Sequence, residues 1–233
     1  MQMTSEDLIE VTEFTWPKGY DADSTHAGLK PDQDDMGWIY SEEPADAAGV
    51  YTTNQFQAAP TKLTKQTINL AHKLQAVVMN AGNANSCNGS QGETDAIMMQ
   101  KMAADRLQID PHMVGIASTG VIGEPLPMAK IKAGISQLKL TKNVGVTKAI
   151  LTTDTHPKTI TVKCLIGGKV VTTTGFCKGS GMIHPIWPLC WALSPPTLQL
   201  PEMIFSNSSV QLLMKPLTKS PLTATLPPMT WSL

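Results

Sequence analysis

The chain has almost no charge excess, since 18 basic and 19 acidic residues are mixed along it and leave a formal net charge of −1. Without a basic surplus there is no electrostatic drive toward nucleic acid or an anionic membrane surface, and small molecules are the expected ligands. No apolar run reaches membrane-spanning length. The opening MQMTSEDLIEV places acids where a secretion signal needs a basic patch and an apolar stretch, so a cytoplasmic protein is expected. Cysteine is scarce. Cys87, Cys164, Cys177 and Cys190 form no C-x-x-C pair and have no histidine at zinc-ligand spacing, which argues against a metal site and a disulfide framework. Glycine is missing from the last 48 residues, because all 17 glycines precede residue 186.

That last absence divides the chain. The segment 186–233 holds 8 of the 17 prolines, 3 of the 5 tryptophans and ten leucines, with Glu202, Lys215 and Lys219 as its only charges. It has neither a helical nor a strand period and would expose apolar surface, so it is expected to be disordered rather than a second domain. Residues 1–185 read differently. Ala48–Thr53, Leu74–Met79 and Val114–Ser118 are apolar or β-branched runs of strand length. Glu93–Leu107 is expected to be a helix with an apolar stripe of Ile97, Met98, Met102 and Leu107, and Pro127–Leu138 a second helix opened by its proline. Thr159–Ile166 and Lys169–Phe176 flank Gly167-Gly168, a two-residue glycine turn suited to a β-hairpin. The alternation makes this part mixed α/β.

Four stretches carry candidate chemistry. Asn80–Gly89, NAGNANSCNG, follows a strand and either offers amides to a polar ligand or is an Asn/Gly surface turn. In Ala117–Pro127, ASTGVIGEPLP, Thr119 and Gly120 end a strand where backbone N–H groups could face an anionic oxygen, although phosphate-loop spacing is absent. Thr152, Thr153, Asp154 and Thr155 are pocket lining or a solvated strand end. Lys178, in CKGSGMIHP, is either a cation for a substrate carboxylate or an exposed loop lysine. Cys177 beside it lacks an identifiable histidine base, which makes a thiol nucleophile a poor candidate.

Taken in order, HAGLK, AGVYTTN, AAP, NAGNANSCNG, ASTGVIGEPLP, ILTTDTHPK and KGSGMIHP resemble the ornithine acetyltransferase/glutamate N-acetyltransferase family of arginine biosynthesis, from His26 to Pro185. The resemblance implies a layered α/β sandwich of N-terminal-nucleophile-like, self-cleaving type, here truncated to the family's α-chain portion. It implies acetyl transfer from N2-acetyl-L-ornithine to L-glutamate, with acetyl-CoA as a possible further substrate and no bound cofactor. It also implies a β chain of the same family as partner, in a heterotetramer. By position, Thr119 and Gly120 match the oxyanion-hole pair, and Thr152 and Lys178 match substrate-binding residues.

The resemblance then fails at one point. KGSGMIHP is followed by Ile186, Trp187, Pro188 and Leu189 where the family has Asn-Met-Ala-Thr, so leucine occupies the slot of the nucleophilic threonine. Leucine has no hydroxyl to attack or to be acetylated, and Cys190 lies one position late. The genetic code offers an explanation. Ile-Trp-Pro-Leu-Cys-Trp-Ala-Leu can be encoded ATA TGG CCA CTA TGT TGG GCT TTA, and one preceding A turns this into Asn-Met-Ala-Thr-Met-Leu-Gly-Phe. The same displacement lets Thr223–Ser232 read Asp-Gly-Asp-Thr-Ser-Thr-Asn-Asp-Met-Val, which resembles a motif of the family's second subunit. The expectation is an α-chain-like domain over 1–185, then an out-of-frame tail over 186–233 and a chain inactive alone. The alternatives are a non-catalytic fragment that binds a substrate or partner, and an unrelated thiol hydrolase using Cys177 or Cys190.

Overall fold

The computed structural model describes residues 8–166, 169–179 and 189–193. The central sheet is built from β2 (Tyr20–Thr25), β3 (Met36–Asp46), β4 (Lys73–Asn83) and β5 (Val114–Val121), in that spatial order. β2, β3 and β4 pair antiparallel, whereas β4 and β5 pair parallel. A parallel pair needs a crossover, and α2 (Gly89–Leu107) supplies it. The run Ala76–Ala81 of β4 is buried throughout because both faces of the sheet are covered.

On one face Met36, Trp38, Ala76, Val78, Val114 and Ile116 meet α2 and α3 (Met128–Gln137) through Ala96, Met99, Ala103, Ile131 and Ile135. On the other, Ile39, Val77 and Met79 pack with Trp16, Val146 and Phe176. The two-residue alternation along β3 and β4 sorts these side chains into two cores. Phe14, Trp16 and Phe176 meet edge to face at centroid separations of 5.0 to 6.3 Å.

The second sheet has the order β1 (Leu8–Thr12), β6 (Lys158–Ile166), β7 (Lys169–Lys178) and β8 (Leu189–Leu193). β6 and β7 form the expected hairpin, in register from Lys158↔Cys177 to Ile166↔Lys169; Gly167 and Gly168 lie outside the described residues. Thr161 and Thr174 face each other at 3.1 Å on the buried side, and both bind the backbone of Thr15. These hydroxyls fasten the segment after β1 to the hairpin.

Helix α1 (Ala59–Ala71) closes the open edge of β5. The Thr64 hydroxyl donates to the Ile116 carbonyl (2.7 Å) and accepts from the Ile116 N–H (2.9 Å), while Gln100 Nε2 donates to the Val114 carbonyl (2.7 Å). An edge strand would otherwise present these groups unpaired.

Three expectations need correction. Ala48–Thr53 is not a strand: it has no partner strand among the described residues, and Val50 is 73% exposed. The buried stripe of α2 is Ala96, Met99, Gln100, Ala103 and Ala104, whereas Ile97 and Met98 are 53% and 47% exposed. The small residues win because they let the helix approach the sheet closely. Within the tail, Leu189–Leu193 form β8 on β7 rather than lacking regular structure, and the rest of 186–233 lies outside the described residues.

Candidate functional site

The parallel ends of β4 and β5 place Ala81 against Thr119 and Gly82 against Gly120. Both glycines have positive φ, +108° and +133°. A Cβ on Gly120 would lie 2.6 Å from the Asn83 nitrogen and collide with Gly82, while one on Gly82 would lie 2.8 Å from the Leu29 carbonyl oxygen. Only glycine fits at either position. Thr119 is therefore half-buried and Gly120 exposed at a strand end held against the loop 26–30.

That loop is organised by Asp35, which is fully buried. Its carboxylate accepts N–H bonds from Ala27 (2.7 Å), Leu29 (2.6 Å) and Lys30 (2.9 Å), and His26 Nδ1 lies 3.3 Å away. So fixed, Lys30 sends its Nζ to the carbonyls of Ala149 (2.8 Å) and Leu151 (3.0 Å). Burial pushes the Lys30 ammonium below its ordinary value; Asp35 and Asp34 oppose this, and the nearby charge of Lys178 adds to it.

Leu151 leads into a loop after α4 (Val146–Ala149) that carries Thr152 and Asp154. Thr152 is exposed on the rim of a cleft of about 240 Å³ lined also by Gln33, Lys148, Asp154, Thr155 and His156. Thr152, Asp154 and Thr155 of this stretch line the cleft, and Thr153 is exposed outside the lining. The Asp154 side chain is fully buried, and its Oδ1 accepts from Lys158 Nζ (2.7 Å) and the Gly179 N–H (2.8 Å). Burial opposes its ionisation, but the Lys158 and Gly179 hydrogen bonds and the charges of Lys158 and Lys178 outweigh it and hold the carboxyl below the usual range. Lys178 ends β7, half-buried, and its backbone partner in β8 is Leu189.

Loop 26–30 thus touches two of the expected regions: Leu29 backs Gly82, which in turn backs Gly120, and Lys30 holds the segment before Thr152. Neither Lys30 nor Asp35 carries a local sequence signal beyond the string HAGLK that ends at Lys30. The asparagine-rich loop has another task. Asn83 Nδ2 donates to the carbonyls of Glu124 (3.0 Å) and Pro125 (3.1 Å), Asn88 Nδ2 to Glu124 (2.8 Å), and Asn85 Nδ2 to Gly92 (2.8 Å). The Asn83 and Asn88 amides bind the loop after Gly120, and the Asn85 amide binds the first turn of α2. Among the described residues no group of three or more His, Cys, Asp or Glu side chains is placed to hold a metal ion, and no helix is long and apolar enough to cross a membrane.

Comparison with known proteins is decisive on kinship. The model of the ArgJ family matches residues 21–188. The chain belongs to the ArgJ family. It is 53% identical over 185 residues to the arginine biosynthesis bifunctional protein ArgJ of Lactiplantibacillus plantarum, covering 79% of this chain and 46% of that protein. With the ArgJ protein of Staphylococcus epidermidis it shares 55% identity over 170 residues, 72% of this chain and 43% of the relative. The chain therefore spans less than half the length of these ArgJ relatives.

Solved structures agree. The crystal structure of ArgJ from Bacillus halodurans superposes with a TM-score of 0.71 at 45% identity, covering 75% of this chain and 92% of that one. Ornithine acetyltransferase from Mycobacterium tuberculosis, complexed with ornithine, gives 0.69 at 31% identity, covering 78% and 99%. The layered mixed α/β fold is that of ArgJ proteins, and the expected family is the observed one.

Proposed function

We propose that this chain is the substrate-binding, α-chain portion of a cytoplasmic acetyltransferase of arginine biosynthesis and that it is inactive by itself. The parent reaction moves the acetyl group of N2-acetyl-L-ornithine to L-glutamate, with acetyl-CoA as a further donor and no bound cofactor, in a heterotetramer of α and β chains. The carrying observation is the β7–β8 register, in which position 189 stands opposite Lys178 and is leucine. In the parent, a threonine hydroxyl there attacks the acetyl carbonyl, Thr119 and Gly120 stabilise the oxyanion, and the ornithine amine leaves with a proton. Glutamate's amine then takes the acetyl group from the threonine ester. Thr152 and Lys178 hold the amino-acid substrate, and Lys148 in the lining of the cleft favours its carboxylate.

Residues 186–233 are, on this reading, translation displaced by one base. The test compares the chain as written with the product of the gene after insertion of one base following the Pro185 codon, assayed for acetyl transfer by mass spectrometry. The chain as written is expected to show neither self-cleavage nor turnover, and the frame-restored product both. Turnover by the chain as written would overturn the proposal. A second reading, a non-catalytic binding fragment, is favoured by the preformed cleft at Thr152 and Asp154. Calorimetry with N-acetylornithine on a folded sample checks it, and absence of heat counts against it.

A further inference from the structure

Building on the assignment of Thr152 and Lys178 to substrate binding, we propose that Asp154 is a positioning residue. Its buried carboxylate ties the loop that carries Thr152 to the backbone at Gly179, next to Lys178, and holds both groups in one arrangement. Two hydrogen bonds to a single oxygen make the tie: Lys158 Nζ at 2.7 Å and the Gly179 N–H at 2.8 Å. Gly179 directly follows Lys178, so this bond fixes the backbone from which the ammonium projects. The second oxygen, Oδ2, is buried without a partner among the described residues, an arrangement that a merely structural polar group would avoid.

The other end of the same loop is held by a charge of opposite sign, because Lys30 Nζ binds the Ala149 and Leu151 carbonyls. Burying charges to fasten a loop costs stability that apolar packing would not, so fold alone gives a poor reason for both. Both fastenings lie beside groups that must meet a ligand, where displacements of about 1 Å suffice to degrade function. Lys178 also pairs across to position 189, so a shift of the backbone at Gly179 moves the cation relative to the place where acetyl transfer is proposed.

The test is reductive methylation of the full chain, with each lysine followed by mass spectrometry. Asp154→Asn, which keeps the shape and removes the charge, is expected to speed labelling of Lys178 at least threefold while exposed Lys18 and Lys101 keep their rates. Unchanged labelling of Lys178 overturns the proposal, as does a uniform rise at every lysine, which would mean that Asp154 only maintains the fold. The unmodified chain supplies a second measurement that needs no variant. Its Gly179 amide is expected to exchange hydrogen at least tenfold slower than a free peptide, and exchange at the free-peptide rate overturns the tie. Neither measurement requires ligand, so failure of N-acetylornithine to bind counts against the substrate assignment and leaves these outcomes separately readable.

Discussion

Asp35 and Lys30 carry much of the site's shape through the loops whose backbone they fasten. The three N–H bonds to the Asp35 carboxylate are all to the loop that backs Gly82 and holds Thr152 in place through Lys30. Replacement by asparagine turns one acceptor oxygen into a donor facing N–H groups. Asp35→Asn is expected to destabilise the chain by about 3 kcal/mol, the sum expected for lost charge-assisted bonds and a stranded buried donor, measured by urea unfolding. A change below about 0.5 kcal/mol would contradict this account of the loop. Of the site, the strand-end Thr119-Gly120 pair and the polar run from Thr152 were readable in the sequence, because turn chemistry and polarity are local signals. Asp35 and Lys30 were not. Lys30 binds residues 119 and 121 positions away, and no local pattern announces a buried ion that distant neighbours satisfy.

At the scale of elements, local patterns served well where they matched the packing and failed where contact partners decided. The hairpin around Gly167-Gly168 and the buried strand β4 follow from turn residues and an apolar run. Helix α2 was legible as a helix but not in its phase, since bulk apolarity points to Ile97 and Met98 while close approach to the sheet selects Ala96, Ala103 and Ala104. Ala48–Thr53 has strand-like residues and, among the described residues, no strand to pair with. The edge of β5 offers a direct check. Thr64→Val keeps the shape but strands the N–H and carbonyl of Ile116, and is expected to cost about 2 kcal/mol, whereas Ile97→Ala on the exposed face is expected to stay within about 0.5 kcal/mol. Equal losses in the two variants, measured by urea midpoints, would mean that the helices are wrongly phased.

For the whole molecule, two observations meet at one place. The ArgJ family match runs to residue 188, and the composition changes just before it, after Pro185. The fold up to that point carries a glycine-braced strand end, a polar cleft at Thr152 and a buried carboxylate, Asp154, hydrogen-bonded to the residue after β7. What the proposed chemistry still needs at position 189 is a hydroxyl, and the chain has leucine there. The most direct measurement is the DNA sequence of the gene across the codons for Pro185 to Leu193. The expected result is that, read one base earlier, the triplets after Pro185 spell Met-Ala-Thr-Met-Leu and place threonine in the slot now held by leucine. Triplets that cannot be read that way would contradict the displaced frame and leave Leu189 as the residue the gene intends.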